Sequence, residues 1–368
     1  MRLRTIGIIV VILALLATMI ALGIAGAMAT RDGWFEGLSN GPFGGRYTAS
    51  MAKRFDPRSF DVTGPLTVDI SIDEGSVRVV GGGATATVVV TPTGSAGSDA
   101  AARAALESIQ PEIQYGGGVL SVIWHGDPDP RPRRFDSRTL DVFVQIPTAV
   151  STTLSIETRA ADIAVRDIRG SVMAATAFGD LELANLTGAV QASTSSGNIE
   201  ADNVQAGFGK VVLRTEFGDV RLNVVRAASV RAESSSGDIV LARVEAGGAG
   251  GLTARTNFGD VRLSNTIGNP ITAGSDSGDV DVELDRLIGP VTATTKFGDV
   301  GVTLPAGAGA DASLVTRFGS ISGPFATGTG EVPEPGKPVT GRIGAGGPRV
   351  TLSTDSGDAR LTIAGAAR

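Results

Sequence analysis

The chain has no cysteine, one histidine, two tryptophans and two tyrosines among 368 residues. Without thiols there are no disulfides, no thiolate metal sites and no cysteine nucleophiles. The single His125 follows Trp124 at the end of an apolar run, and no nucleophile-elbow phrase accompanies it. A basic stripe is missing as well: 32 Lys and Arg face 38 Asp and Glu, for a formal charge of -6, which leaves no footprint for nucleic acid. The scarcity of aromatics argues against a sugar-stacking platform. A β-helix lyase or hydrolase would need carboxylates or basic residues clustered in a cleft, at a place where the repeat breaks. The breaks in this chain are Gly and Pro loops, so the sequence reads as a non-enzyme with no cofactor. In excess are 51 glycines, with abundant Ala, Val and Thr, a composition that favours strands joined by tight turns.

One short phrase, Thr/Ser-Xaa-Phe/Ser-Gly-Asp followed by an aliphatic residue, recurs about every twenty residues. Its glycines are Gly179, Gly197, Gly218, Gly237, Gly259, Gly278, Gly298, Gly319 and Gly357, with Ala161 in the glycine position of a degenerate first copy. The spacings are 18, 21, 19, 22, 19, 20, 21 and then 38, so the last gap reads as two periods with one phrase lost. A fixed period of this length signals a solenoid whose units bury their apolar faces only by stacking on neighbours. Two strands per period are visible, as in Gly218–Asn223 and Ala228–Glu233. The expected fold is therefore all-β, a parallel β-solenoid, with right-handed winding by the rule for parallel crossovers.

Arg2 and Arg4 precede an apolar run from Ile6 to Ala29, long enough to span a bilayer. The ending Ala27-Met28-Ala29 also fits a secretory cleavage site near Ala29, but the run exceeds a usual signal core, so residues 1–29 are expected to be an uncleaved anchor in the lipid bilayer. The positive-inside rule then places the remainder outside the cytoplasm of a single-pass bacterial membrane protein. Secretion after cleavage is the alternative. Residues 30–59 read as a flexible stalk, with Trp34 and Phe35 at the headgroup level. Residues 60–147 read as an N-terminal β-rich cap. In it Leu66–Ile72 and Ser76–Val80 form a hairpin about Asp73-Glu74-Gly75, and Ser98–Ile109 is the one helix, capped by Ser98 or Asp99. The repeat domain then runs over 148–368, with a Gly/Pro-rich excursion at about 323–347 that includes Pro333, Pro335 and Pro338. After the excursion Val350–Leu352 and Leu361–Ile363 are expected to close the last rung.

The Ser-Ser-Gly-Asp/Asn phrases, the lead-in Val142-Phe143-Val144-Gln145-Ile146-Pro147 and the closing Thr354-Asp355-Ser356-Gly357-Asp358 together resemble a bacterial group. This is the "putative adhesin" β-strand-repeat family of unknown function, close in style to GIN-type adhesin heads and to the toast-rack domains of envelope proteins. The resemblance spans about residues 60–368. It implies an extracytoplasmic, often membrane-tethered β-solenoid with no catalytic residues to carry over.

The acidic column Asp180, Asn198, Asp219, Asp238, Asp260, Asp279, Asp299 and Asp358, with Asp162 in the degenerate copy, is the strongest candidate for chemistry. Carboxylates one rung apart repel by roughly 1 kcal/mol in water and more in protein, so something must offset them. A ladder of Ca²⁺ on Asp219, Asp238, Asp260, Asp279 and Asp299 would do so. So would hydrogen bonds from turn N–H groups, the favoured reading, because Asn198 and Ser320 stand in the column uncharged. The residue before each glycine alternates, Phe178, Ser196, Phe217, Ser236, Phe258, Ser277, Phe297, then Phe318 out of turn, then Ser356. This pattern reads as interleaved packing of large and small residues, with an exposed docking ladder as the alternative. Asp279, Asp281, Glu283 and Asp285 share one outer face, where Arg262 is placed to pair with Asp281. Arg131, Arg133 and Arg134 form a basic loop diluted by Asp127 and Asp129. The function expected is a non-catalytic scaffold or interaction module of the bacterial envelope that meets an envelope protein or a surface polymer and no nucleic acid. Its alternatives are an adhesin for surface polymer and a carbohydrate-active β-helix enzyme.

Overall fold

The computed structural model describes residues 49–126, 137–325 and 334–365. The expected anchor at 6–29, Trp34 and Phe35, most of the stalk, the basic loop at 131–134 and Pro333 lie outside the described residues. Among the described residues no helix is long and apolar enough to cross a membrane.

Two long strands start the stack. Strand β3 (Leu66–Gly81) lies parallel to β8 (Thr152–Arg166) along its whole length, Leu66 opposite Thr152 and Val80 opposite Arg166. The expected hairpin about Gly75 does not form. Period-two alternation identifies a strand but not its partner, and both halves of β3 find theirs on β8. Gly75, at φ +138°, is instead a bend within one rung, where a Cβ would lie 2.1 Å from the Leu140 carbonyl oxygen. On the far side β3 is met by β6 (Val119–Trp124) along one half and β7 (Ser137–Ile146) along the other. Antiparallel strands β5 (Glu112–Gly116) on β6 and β4 (Ala86–Ala96) on β7 then cover these strands, and β1 (Ala49–Ala52) and β2 (Arg58–Phe60) pair antiparallel with the far edge of β4. Covering exposed ladder edges in this way blocks edge-to-edge association. The helix α1 (Asp99–Glu107) packs beside β4, and Ser98 caps it with Oγ accepting the Ala101 N–H at 3.3 Å.

From β9 (Gly170–Phe178) and β10 (Leu181–Thr187) onward each rung splits into two strands at its Gly-Asp corner. Rungs β11 (Val190–Ser196)/β12 (Ile199–Gln205), β13 (Lys210–Phe217)/β14 (Val220–Ala227), β15 (Ser229–Ser236)/β16 (Ile239–Ala246), β17 (Leu252–Arg255)/β18 (Val261–Gly268), β19 (Ile271–Gly274)/β20 (Val280–Leu284) and β21 (Val291–Thr294)/β22 (Val300–Leu304) follow, all parallel and in register save for a shift between β18 and β20 after Leu263. Inward positions make columns of like residues. Leu181, Ile199, Val220, Ile239, Val261, Val280 and Val300 face one another in turn, each 1% exposed or less. Burial of one such side chain contributes about 1.5–3 kcal/mol, realised only when the neighbouring rung is present.

The C-terminal rungs are not in chain order. Strands β23 (Ala310–Phe318) and β24 (Ile321–Ser322) form the terminal rung, while β26 (Arg349–Ser356) and β27 (Ala359–Ile363) insert before it. Thus β26 pairs with β21 on one side and β23 on the other, and β27 lies between β22 and β24. Residues 349–363 therefore supply the penultimate rung and do not close the stack. The gap of 38 holds no lost phrase. It contains the antiparallel strand β25 (Val339–Ile343), which pairs with β23 on the side away from β26.

Candidate functional site: the corner strip

At each corner the strand ladder is interrupted, and two kinds of side chain repair it, a hydroxyl before the glycine and an acid or amide after it. Thr215 Oγ1 donates to the Gly197 carbonyl of the rung before at 2.9 Å. Ser234 does the same to Gly218 at 3.0 Å, Thr256 to Gly237 at 2.9 Å, Ser275 to Gly259 at 2.9 Å and Thr295 to Gly278 at 2.9 Å. Beyond them Thr354 reaches Gly298 at 2.9 Å and Thr316 reaches Gly357 at 2.8 Å. These hydroxyls are nearly buried, so each satisfies a carbonyl that would otherwise be an orphan acceptor. The invariable Thr or Ser two residues before Phe/Ser was the signal for this ladder, and the sequence reading gave it no role.

The glycine is required because successive corners nearly touch. A Cβ on Gly218, at φ +143°, would sit 2.1 Å from the Gly197 carbonyl oxygen. The acidic residue that follows spends one oxygen on the next rung. Asp180 Oδ1 accepts the Asn198 N–H at 2.7 Å, Asn198 Oδ1 the Asp219 N–H at 2.9 Å, and Asp219 Oδ1 the Asp238 N–H at 2.9 Å. The chain continues through Asp260, Asp279, Asp299 and Asp358 to the Ser320 N–H at 2.8 Å. The donor comes from the next rung, not from the residue's own turn. The amide side chain of Asn198 makes the same bond as a carboxylate, which explains its place in the column. Backbone and side-chain hydrogen bonds from Ser320 hold the Asp358 carboxyl below the usual carboxylate range. Among the described residues no group of three His, Asp or Glu is arranged to hold a metal ion.

The phenylalanines are not packed inside. Phe178, Phe217, Phe258, Phe297 and Phe318 are 59%, 61%, 63%, 63% and 74% exposed. They share the inward parity of Thr215 and its counterparts, but at the corner the strand has already left the facing sheet, so the ring meets solvent. Spatial order also restores the alternation that chain order breaks. Ser356 lies between Phe297 and Phe318, giving an unbroken Phe–Ser series from Phe178 to Phe318. Beside this strip Arg221 pairs with Asp219 at 2.6 Å and Arg262 with Asp260 at 2.8 Å. Asp180, Asp238, Asp279 and Asp299 have no ion-pair partner among the described residues. Adjacent to it runs a polar groove of about 540 Å³, lined in part by Arg214 and Glu233, which pair at 2.7 Å.

Arg262 is opposite Asp281 in register, but its guanidinium turns to Asp260 instead. Asp281 is raised above the ordinary carboxylate value, first by burial of its carboxyl and then by Asp279, with Arg262 acting in the opposite direction.

A second cluster gathers residues that sequence reading left apart. Ser71 Oγ lies 3.5 Å from His125 Nε2, and His125 Nδ1 lies 3.2 Å from Asp73 Oδ1. The order of contacts is that of a Ser-His-Asp triad. Ser71, however, sits within β3 between two paired strands, so its backbone belongs to the ladder and supplies no oxyanion donor. Asp73 also accepts the Gly126 N–H at 2.6 Å, so the cluster fastens the exit of β6.

The model of the Toastrack DUF4097 family matches residues 135–362, more than half of the chain, and the chain belongs to that family, whose function is unknown. No curated protein matches it. Among solved structures, a "putative adhesin" from Bacteroides fragilis is 12% identical, with 84% of this chain and 97% of that one covered at a TM-score of 0.33. Another so described, from Parabacteroides distasonis, is 12% identical, with 85% and 97% covered at 0.31. A "putative cell adhesion protein" from Clostridium sporogenes is 9% identical, with 86% and 100% covered at 0.17.

Proposed function

We propose that this toastrack-family chain is a non-catalytic interaction module of the bacterial envelope, whose β-solenoid presents its corner strip to a partner. One observation carries the reading. From Thr215 onward the hydroxyls bond the glycine carbonyls and the acids bond the next rung, whereas the five phenylalanines remain exposed on every second rung. Exposed rings aligned along one edge exceed the scattered apolar residues of an ordinary surface. The apolar run at 6–29 supports tethering to a membrane with the solenoid outside the cytoplasm, and right-handed winding is the form expected of its parallel crossovers. The test is in-cell photo-cross-linking from position 258 in the strip and, as control, from Met173 on an outer face. Neighbours recovered from 258 and not from 173 are expected. Equal recovery of the same neighbours from both would show that the strip is not the binding face.

A further inference from the structure

Three like seats follow one another along the strip. Ser236 lies between Phe217 and Phe258, Ser277 between Phe258 and Phe297, and Ser356 between Phe297 and Phe318. Each of these serines is two residues before an acid, Asp238, Asp279 and Asp358, whose Oδ1 is bound to the next rung and which has no ion-pair partner among the described residues. A seat thus offers two exposed rings, a small side chain between them and a carboxylate oxygen. That combination attracts a cation, through the negative faces of the rings and through the charge. The fourth interval, Phe178 to Phe217, carries the neutral Asn198 instead.

The spacing selects the shape of what fits. Seats recur every two rungs, about 9.6 Å. Polyproline II has three residues per turn and rises about 9.3 Å, presenting every third side chain to one side. A β-strand offers the same side every about 6.7 Å, and its every-third residue faces the other way. Seven residues of α-helix advance about 10.5 Å, a mismatch that grows to several ångströms along the strip.

From this register and charge we propose that the corner strip binds a basic polypeptide segment in the polyproline II conformation, with Lys or Arg at every third residue seated between successive phenylalanines. The proposal rests on the interaction-module reading and names the partner's chemistry. Aromatic surfaces are an established way to hold such preformed, low-entropy segments.

The test uses the full chain in detergent and a labelled peptide of five Arg-Pro-Pro repeats, with fluorescence anisotropy as readout. Controls are a peptide with the same number of arginines placed at every fourth residue and a Glu-Pro-Pro peptide. Binding of the first, at least about tenfold tighter than of either control, is expected. Phe217→Ser with Phe258→Ser should weaken it at least about tenfold, and Asp238→Asn by a smaller factor. Serine already occupies this column on alternate rungs, so the fold accommodates it. No binding of the first peptide, equal binding of the every-fourth peptide, or indifference to the Phe substitutions would overturn the proposal. If position 258 cross-links in cells only to glycan, or only to a protein without a basic proline-rich segment, the module stands and this partner falls.

Discussion

The hydroxyl ladder makes one substitution change sign between two positions of the same column. Thr215 donates to the Gly197 carbonyl, while Thr158, at the start of the column, is the one buried side-chain polar atom with no hydrogen-bond partner among the described residues. Both are nearly buried, at 5% and 7% exposure, and both lie in strands, so replacing either by valine leaves volume and strand propensity nearly matched. Thr215→Val leaves a buried carbonyl without a donor, which costs about 1–3 kcal/mol. Thr158→Val removes an unsatisfied hydroxyl and is expected to be neutral or to stabilise by about 1 kcal/mol. Because a repeat array need not unfold in one step, native-state amide exchange read at the corner nearest each site is the suitable assay. Exchange around 197–219 should accelerate between about five- and 150-fold in Thr215→Val, and exchange around 158–163 should be unchanged or slower in Thr158→Val. Equal acceleration in both variants would refute the claim that the glycine carbonyls depend on these hydroxyls.

Gly218→Ala places a Cβ on the backbone of the preceding corner and should destabilise by at least about 2–3 kcal/mol, visible as a lower denaturant midpoint; an unchanged midpoint would contradict the corner geometry. Phe258→Ser removes an exposed ring and should leave the melting temperature within about 2 °C of the parent, whereas a core role for the ring would lower it by far more. The raised carboxyl of Asp281 favours the protonated folded state, so its contribution to stability is full below its unfolded value of 3.8 and is lost as pH rises through the folded value. Asp281→Asn should therefore raise the melting temperature at pH 7 and have little effect near pH 3; the opposite trend would refute the assignment. Asp358 has the reverse sign. Its lowered carboxyl stabilises above 3.8 and stops doing so as pH falls through its folded value, and Asp358→Asn should remove part of the acid sensitivity of the terminal rungs.

The acidic column shows how far spacing can be read. Repulsion between carboxylates one rung apart demanded an offset, and a neutral Asn198 pointed to hydrogen bonding over cations, which the amide can share. What spacing could not show was that the donor belongs to the following rung. The phenylalanines went the other way. Alternation with serine is compatible with interleaved burial and with an exposed ladder, and only the position of the corner relative to the facing sheet separates the two. The triad-like contact of Ser71, His125 and Asp73 carried no signal, since its residues are joined only by the pairing of β3 with β6.

The sequence by itself determined the repeat, its period and its strand content, because glycine, hydroxyl and acid are needed at every corner and their chemistry is local. It also marked Gly75 as a turning point, although not the kind of turn. Tertiary structure decided the order of the rungs. Any rung can stack on any other with the same inward columns, so nothing local forbids residues 349–363 from entering between 291–304 and 310–322. Only the long-range register places Ser356 beside Phe297 and Phe318, and with it completes the alternating strip on which the proposed binding depends.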